Sequence, residues 1–252
     1  MSQSHESPVA LVTGASKRLG AAIARRLHSD GYRLILHFNG SSAQAQALAE
    51  ELNQRKANSA VYLGQDLSQL AQLASFADKA AAVFGRVDVL INNAAVFYPT
   101  PMADFSLADA EQTLAVNALA PVLLAQALTP KLNQSSAASI VNLIDIHAEK
   151  PLYQHVLYSM AKAALASATL SMAQELSPRI RVNGVAPGAI LWPEQSSQEA
   201  QEQVLENIPL KRCGEPNDIA DTVSFLVVQA QYINGQIINV DGGRSAMGYQ
   251  GA

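Results

Sequence analysis

The sequence predicts an α/β protein, a doubly wound sheet of seven parallel strands with helices on both faces. Three observations carry this. Short apolar runs alternate with helix-spaced segments along almost the whole chain, as repeated strand–helix–strand units require. The first apolar run stops at Gly14, and a helical pattern begins soon after it. The length of 252 residues suits one such domain better than two.

Val9–Thr13 is a short apolar run that stops at Gly14, as in a strand buried on both faces. In the helix from Leu19 to Ser29, Leu19, Ile23 and Leu27 share a face, and Gly31 stands just past its end. Arg33–His37 is the second strand, and Ala43–Gln54, rich in Ala, Glu and Leu, the second helix. A third strand over Ala60–Leu63 and a third helix over Leu70–Phe84 follow. The fourth strand, Val87–Ile91, ends at Asn92-Asn93, and one long helix spans Leu107–Leu132. Ser139–Ile144 is the fifth strand, and the helix Tyr153–Leu176 stops near Pro178. Ile180–Val185 and Gln236–Val240 complete the sheet. Residues 1–7 are a polar, disordered tail before a single domain over 8–252. Gly188–Asn207, with Trp192 and a Gln/Ser/Glu run, is an irregular stretch after a strand. Its place at the carboxyl edge of the sheet favours a substrate lid over a plain surface loop.

Bulk properties exclude several function classes. A formal net charge of −4 argues against a nucleic-acid binder with a broad basic surface. Cys213 is the single cysteine, so no intramolecular disulfide and no thiolate metal cluster can form, and no metal site is expected. The first residues lack the apolar core of a signal peptide, and no apolar run is read as membrane-spanning. A cytoplasmic protein is the expectation.

The segment Thr13-Gly14-Ala15-Ser16-Lys17-Arg18-Leu19-Gly20 joins the first strand to the first helix. Gly14 permits a tight turn, and Gly20 lets the helix sit close to the sheet. The helix start offers free N–H groups and a positive dipole end to a pyrophosphate. Arg18 stands where the usual fingerprint has its central glycine, and it brings a fixed cation to the phosphates or the substrate. The alternative is a plain tight turn with solvated Lys17 and Arg18.

The second strand runs into His37-Phe38-Asn39-Gly40-Ser41-Ser42, with no Asp or Glu to bind a ribose diol. A 2′-phosphate would meet no repulsion there. Lys17, His37, Ser41 and Ser42 could supply charge and donors, so NADPH/NADP+ is the expected cofactor; an ordinary strand-end histidine is the alternative for His37. Asp66, after the third strand, is a candidate acceptor for an adenine amino group, and Leu67 a candidate wall for the ring.

Tyr158 and Lys162 stand at i and i+4, on one helix face. A free tyrosine has a pKa of about 10, and a nearby cation lowers it toward working pH. Alone, such a pair means little. Together with Thr13-Gly14 to Gly20, Asn92-Asn93-Ala94-Ala95, Asn117, Pro187-Gly188 and Asp241-Gly242-Gly243, it resembles the short-chain dehydrogenase/reductase family over nearly the whole chain. The resemblance implies a single-domain Rossmann fold in which Tyr158 donates a proton and Lys162 tunes it and holds the nicotinamide ribose. It also implies that Asn117 supports a relay water and that Asn93, Ala94 and Ala95 line the cofactor. The segment after Pro187 and Gly188 would close over the nicotinamide. The resemblance further implies a homotetramer paired through the two long helices, where Ala161, Ala164 and Ala168 permit close packing; packing within one chain is the alternative for these alanines.

One departure narrows the chemistry. Ketone-reducing members carry a serine upstream of the tyrosine; this chain has Asp145. A carboxylate would repel a developing alkoxide but suits a substrate with N–H donors, or one protonated on nitrogen. Asp145, Tyr158 and Lys162, with Lys17-Arg18-Leu19-Gly20 and Phe97-Tyr98-Pro99-Thr100-Pro101, resemble the pteridine reductases. That resemblance implies a pterin stacked on Phe97, reached by Arg18 and protonated through Asp145 and Tyr158. Trp192 is a further candidate pocket wall. For Phe97 a loop-anchoring core position is the alternative, for Tyr98 a surface position, and for Asp145 a helix cap. Gly40 stands where that subfamily tends to have an arginine for the 2′-phosphate. The expected activity is reduction of a dihydropterin or dihydrofolate to its tetrahydro form. Its rivals are a carbonyl reductase acting on a 3-oxoacyl thioester and a non-catalytic NADPH-binding protein.

Overall fold

Val9–Val12 form strand β1, buried at all four positions, as a central parallel strand with helices on both faces must be. The structure is a computed structural model that describes residues 7–192 and 197–247. Six further strands join β1: β2 (Arg33–Phe38), β3 (Ala60–Gly64), β4 (Val89–Asn92), β5 (Ala138–Leu143), β6 (Ile180–Pro187) and β7 (Ile237–Val240). Their order is β3-β2-β1-β4-β5-β6-β7, and every pairing is parallel. Successive connections run outward in one direction from β1 to β3, then in the other from β4. The crevice where they diverge lies at the carboxyl ends of β1 and β4, the usual ligand position in open α/β sheets.

Strand periodicity divides the interior in two. On one face Ala10, Val12, Leu34 and Leu36 pack with Ile23 and Leu27 of α1 (Arg18–Ser29), Leu48 and Leu52 of α2 (Ser42–Arg55) and Ile219 and Val223 of a later helix. On the other, Val9, Leu11, Ile35 and Leu90 meet Phe76 and Ala80 of α3 (Leu73–Phe84). Leu124, Leu128 and Leu132, from the chain between β4 and β5, join that second core. Adjacent residues of one strand thus serve opposite layers, and the doubly wound Rossmann architecture follows.

The departures from the sequence reading are local. The long helix expected over Leu107–Leu132 is interrupted: α4 (Leu107–Leu114) gives way to a π turn at Ala115–Leu119 before α5 (Ala120–Leu132). Its start is set by a capping box between Ser106 and Asp109. The next helix, α6 (Val156–Glu175), begins three residues later than Tyr153. Part of the irregular stretch expected over Gly188–Asn207 is helix: α7 (Gln198–Glu206) starts where the Ser197 hydroxyl accepts a hydrogen bond from the Ala200 N–H, and its Gln, Glu and Ala residues are good helix formers. Residues 193–196 of the expected lid lie outside the described residues. A further helix that the sequence reading did not place, α8 (Pro216–Ser224), has Pro216 in its first turn and a capping box between Glu215 and Asp218.

Residues 1–6 of the expected tail also lie outside the described residues, while Ser7 is held by a hydrogen bond from Lys56 Nζ at 2.8 Å. Contrary to the reading of apolar runs, the stretch Leu107–Leu132 and helix α6 are both long and apolar enough to cross a membrane by length and composition. Both instead pack against the sheet. Leu124 and Leu128 lie in the core, and α6 buries Tyr158, Ser159, Lys162 and Thr169.

Candidate active site

The turn after β1 is built from close contacts that only glycine tolerates. Gly14 has φ +62°, and a Cβ there would lie 2.9 Å from the Ala94 Cα. At Gly20 a Cβ would lie 2.2 Å from the Gly14 carbonyl oxygen and 2.6 Å from Asn93 Nδ2. The chain leaving β4 closes the other side. Asn93 Nδ2 donates to the carbonyls of Thr13 at 2.8 Å and Gly14 at 3.1 Å. The Thr13 hydroxyl accepts from the amides of Asn93 and Ala94. No side chain caps the start of α1, so its first N–H groups keep their capacity for an anion. Arg18 adopts φ +53°, a left-handed conformation that favours glycine. For an arginine this costs on the order of 1 kcal/mol or more, and its side chain is exposed beside Lys17.

Past β2 the structure corrects one expectation. His37 does not reach a 2′-phosphate. Its ring is buried, Nδ1 accepts the Gly14 N–H at 3.0 Å, and Nε2 donates to the Gln65 carbonyl at 2.8 Å. With both nitrogens engaged and burial pushing its pKa down, it is a neutral imidazole inside the turn. The residues that remain open there are Asn39, Gly40, Ser41 and Ser42. The Phe38 ring packs over Gly64 and beside Tyr62. Asp66 folds back, one carboxylate oxygen accepting from the amide and hydroxyl of Ser68. Leu67 is buried with the residues beneath α3.

Beyond the carboxyl end of β5, three polar side chains meet. Tyr158, in the first turn of α6, donates its hydroxyl proton to Asp145 Oδ2 at 2.8 Å. The other oxygen of Asp145 accepts the His147 amide and caps a single 3₁₀ turn, Ile146–Ala148. Capping and contact with the tyrosine, alternatives in the sequence, are therefore both made. Lys162, one helical turn on, is buried and donates to the Leu143 carbonyl at 2.7 Å. Its ammonium lies 5.8 Å from the Tyr158 ring centre.

The electrostatics reverse the expected direction at Tyr158. Burial is the largest cause, and the charge and hydrogen bond of Asp145 add to it; together they push the phenol far above its ordinary value. Burial lowers Lys162 to about 8, partly offset by Asp145. The charged group that touches the phenol is thus a carboxylate, and Tyr158 is held protonated rather than tuned toward phenolate.

The π turn carries Asn117 inward. Its Oδ1 accepts the Val96 amide and its Nδ2 donates to the Val96 carbonyl, both at 2.8 Å. These bonds tie the side chain to the segment that leads to Phe97. Phe97 is 54% exposed, which removes the core-anchor alternative. Its ring stands edge-on to Tyr158 at 4.8 Å and lies stacked on His155 at 4.8 Å and 18°. Sequence reasoning missed His155, since nothing local marks a side chain that a neighbouring loop brings to Phe97. That loop is tied down by Thr100, whose amide donates to Gln154 and whose hydroxyl accepts from Leu157. Tyr98 is half-buried against Thr113.

Pro187 ends β6, and Gly188 lies so close to Asp241 that a Cβ would sit 2.6 Å from the aspartate Cβ. Asp241 in turn accepts from the amides of Gly243 and Ser245. Trp192 is half-buried at the edge of the described stretch. The carboxyl ends of β1, β4, β5 and β6 thus bring together the glycine turn, Asn93, Asp145, Tyr158, Lys162 and Pro187, with Phe97 exposed above them.

Comparison with known proteins gives a consistent result. A family profile described as enoyl-(acyl carrier protein) reductase matches residues 14–245. Pteridine reductase 1 of Leishmania tarentolae is 39% identical over 286 aligned positions, covering 97% of this chain and 99% of that protein. Ketoacyl reductase 2 of the granaticin polyketide synthase of Streptomyces violaceoruber is 35% identical, covering 94% and 96%. A 3-oxoacyl-(acyl-carrier-protein) reductase of Staphylococcus epidermidis is 34% identical, covering 93% and 97%. On this match and the all-parallel seven-stranded fold, the chain is an oxidoreductase that belongs to the short-chain dehydrogenase/reductase family.

Proposed function

We propose that the protein is an NADPH-dependent pteridine reductase that converts a dihydropterin or dihydrofolate to its tetrahydro form. One observation carries the reading: the carboxylate of Asp145, not a serine hydroxyl, receives the Tyr158 hydroxyl beneath the exposed Phe97 ring. Two acceptor oxygens at that point suit a heterocycle bearing N–H groups and oppose charge build-up on a carbonyl oxygen. An aromatic face suits a flat conjugated ring. The similarity to a pteridine reductase along 97% of the chain supports it.

The glycine turn fits a pyrophosphate, because its backbone is cleared of side chains and the start of α1 is uncapped. In this reading Lys17 and Arg18 supply the positive charge, Leu19 and Ala94 line the site, and Asn39 and Ser41 face the adenosine phosphate. Asp66 takes the adenine amino group through its second oxygen. Lys162 exchanges the Leu143 carbonyl for a ribose hydroxyl, and Pro187 and Gly188 border the nicotinamide. Bound NADPH supplies the hydride. Tyr158 supplies the proton to the substrate nitrogen, and Asp145 orients that proton until it is needed. Phe97, Arg18 and Trp192 hold the substrate ring.

The second reading, reduction of a 3-oxoacyl thioester, is favoured by the two ketoacyl-reductase relatives. Steady-state assays of the purified protein with dihydrobiopterin, dihydrofolate and an oxoacyl thioester separate the two. Turnover of both pterins and none of the thioester is expected; turnover of the thioester alone overturns the proposal. A lower KM for NADH than for NADPH would overturn the cofactor assignment. We also propose a homotetramer, built on the exposed apolar side chains Leu119, Val156, Met160 and Leu170 of the two long helical stretches. Its mass by light scattering is the check.

A further inference from the structure

His37 lies under the phosphate turn without reaching its surface, at 1% exposure. The Gly14 N–H can only donate and the Gln65 carbonyl can only accept, so the two bonds to the ring settle its tautomer: a hydrogen on Nε2 and a bare Nδ1. The main chain of the same residue grips the turn again, its carbonyl accepting the Ala15 amide at 2.9 Å. Next to it the Phe38 carbonyl accepts the Gln65 amide at 3.0 Å. Helix α3 closes the pocket with the edge of Phe76, 5.3 Å from the imidazole centre. Gly14 is thereby held on every side: Ala94 against its Cα, Asn93 on its carbonyl, His37 on its amide.

We infer that neutral His37 is a positioning residue, a strut joining the Gly14 turn to the chain that leaves β3 at Gln65 and Asp66. The strut fixes the Gly14 amide of the pyrophosphate cradle from beneath, with the Gln65 carbonyl as its footing, so cofactor affinity depends on a buried side chain that never touches the cofactor. The inference rests on the proposed reading of the turn as a nucleotide cradle. An imidazolium would point a second N–H at the Gly14 N–H and break the strut. The groups facing the ring are the Asp66 carboxylate, the Phe76 ring and main-chain amide and carbonyl groups. Burial lowers the ring's pKa and outweighs the Gln65 carbonyl and the Asp66 carboxylate, which both favour the charged form, so the ring stays neutral.

Substitutions divide the strut into its halves. In His37→Asn the side-chain oxygen stands near the place of Nδ1 and can still accept from Gly14, but it does not reach Gln65. In His37→Gln the amide extends toward Gln65 and leaves the Gly14 amide without its partner. His37→Leu keeps neither bond. The test is titration of the purified full-length variants with NADPH and with NADH, followed by nicotinamide fluorescence, together with turnover at saturating cofactor. His37→Leu is expected to weaken binding about tenfold, the size of one lost buried hydrogen bond, with turnover changed by no more than about twofold. His37→Asn should recover most of the affinity and His37→Gln little of it. Wild-type affinity should fall on acidification, at a pH below the ordinary imidazole range because burial lowers the ring, and more steeply than in His37→Asn. Equal affinity of the Asn and Gln variants, or an acid limb identical in wild type and His37→Asn, would overturn the inference, and neither result needs the Leu variant to fold. Failure of the wild type to bind either nucleotide would overturn the cradle reading itself.

Discussion

The two halves of the site are built on opposite plans. The turn at Gly14 is closed on itself: main-chain groups are paired with Asn93, Thr13 and His37, and two glycines sit where a single methyl group would collide with backbone. The region around Tyr158 is open on one side only: Tyr158 and Lys162 are buried, and Phe97 above them is exposed. Phe97 is more than half exposed, and Lys162 rests on a carbonyl it can leave. The first half is fixed before any ligand arrives; the second has its geometry set but its bonds still exchangeable. Binding and chemistry should therefore fail separately when each half is altered.

The largest effect should come from Tyr158→Phe. It removes one oxygen from the open half and touches nothing in the turn. Loss of a positioned proton donor costs about 10²–10⁴ in rate, so turnover should be abolished in practice. NADPH affinity and melting temperature should stay near wild type. Retained turnover would refute the donor role, and a matching loss of cofactor binding would show that the halves are not separate. Gly20→Ala is the converse probe. Its Cβ would meet the Gly14 oxygen at 2.2 Å, so helix or turn must move, at a cost of about 1–3 kcal/mol. Cofactor affinity should fall at least about tenfold and the melting temperature by several degrees. Unchanged affinity would mean that the turn is not the cradle.

The same contrast explains what the sequence revealed. The turn could be read because its constraints are local: Gly14 and Gly20 mark backbone that tolerates no side chain, and a strand and a helix flank them. The strands could be read from their apolar runs. His37 was misread because its neighbours in sequence, Asn39 to Ser42, lead to exposed surface, while its partners Gly14 and Gln65 lie just past the ends of two other strands. Asp145 and Tyr158 were found as a pair through the missing serine. The sign of their interaction depended on burial and on a 2.8 Å hydrogen bond that spacing does not specify. His155 and the bond between Asn117 and Val96 depend on a loop path and a π turn that no periodicity marks. Helix α7 was hidden because its polar face made Gln198–Glu206 resemble loop.

Asp145→Ser sharpens the comparison within the open half. It removes the anion that adds to burial in raising the Tyr158 phenol and installs the hydroxyl that ketone-reducing members of the family carry. The phenol pKa should fall toward its ordinary range, seen as an earlier phenolate absorbance on raising pH. Turnover of dihydropterin should drop by about tenfold to a hundredfold, as expected when a hydrogen bond to a charged group is lost, and reduction of an oxoacyl thioester should rise from its baseline. A dihydropterin rate equal to wild type would show that the carboxylate is only the cap of the 3₁₀ turn, and the pterin reading would lose the observation that carries it.

The smallest effect tests the edge of the closed half, where it meets solvent. With His37 buried and neutral, the stretch from Asn39 to Ser42 offers a 2′-phosphate polar groups but no fixed charge. Gly40 is exposed, its φ does not lie in the left-handed region, and a Cβ there would meet nothing within 4 Å. A side chain can therefore be added without strain and without disturbing the turn. Gly40→Arg should lower the KM for NADPH about threefold, the size of an exposed charge pair, leave NADH unchanged and lose its advantage in high salt. An equal gain for both nucleotides would place the arginine on the pyrophosphate rather than the 2′-phosphate. No gain at all would mean that Lys17 and Arg18 already neutralise that phosphate, so that charge from the far side of the turn, and not the end of β2, sets the cofactor preference.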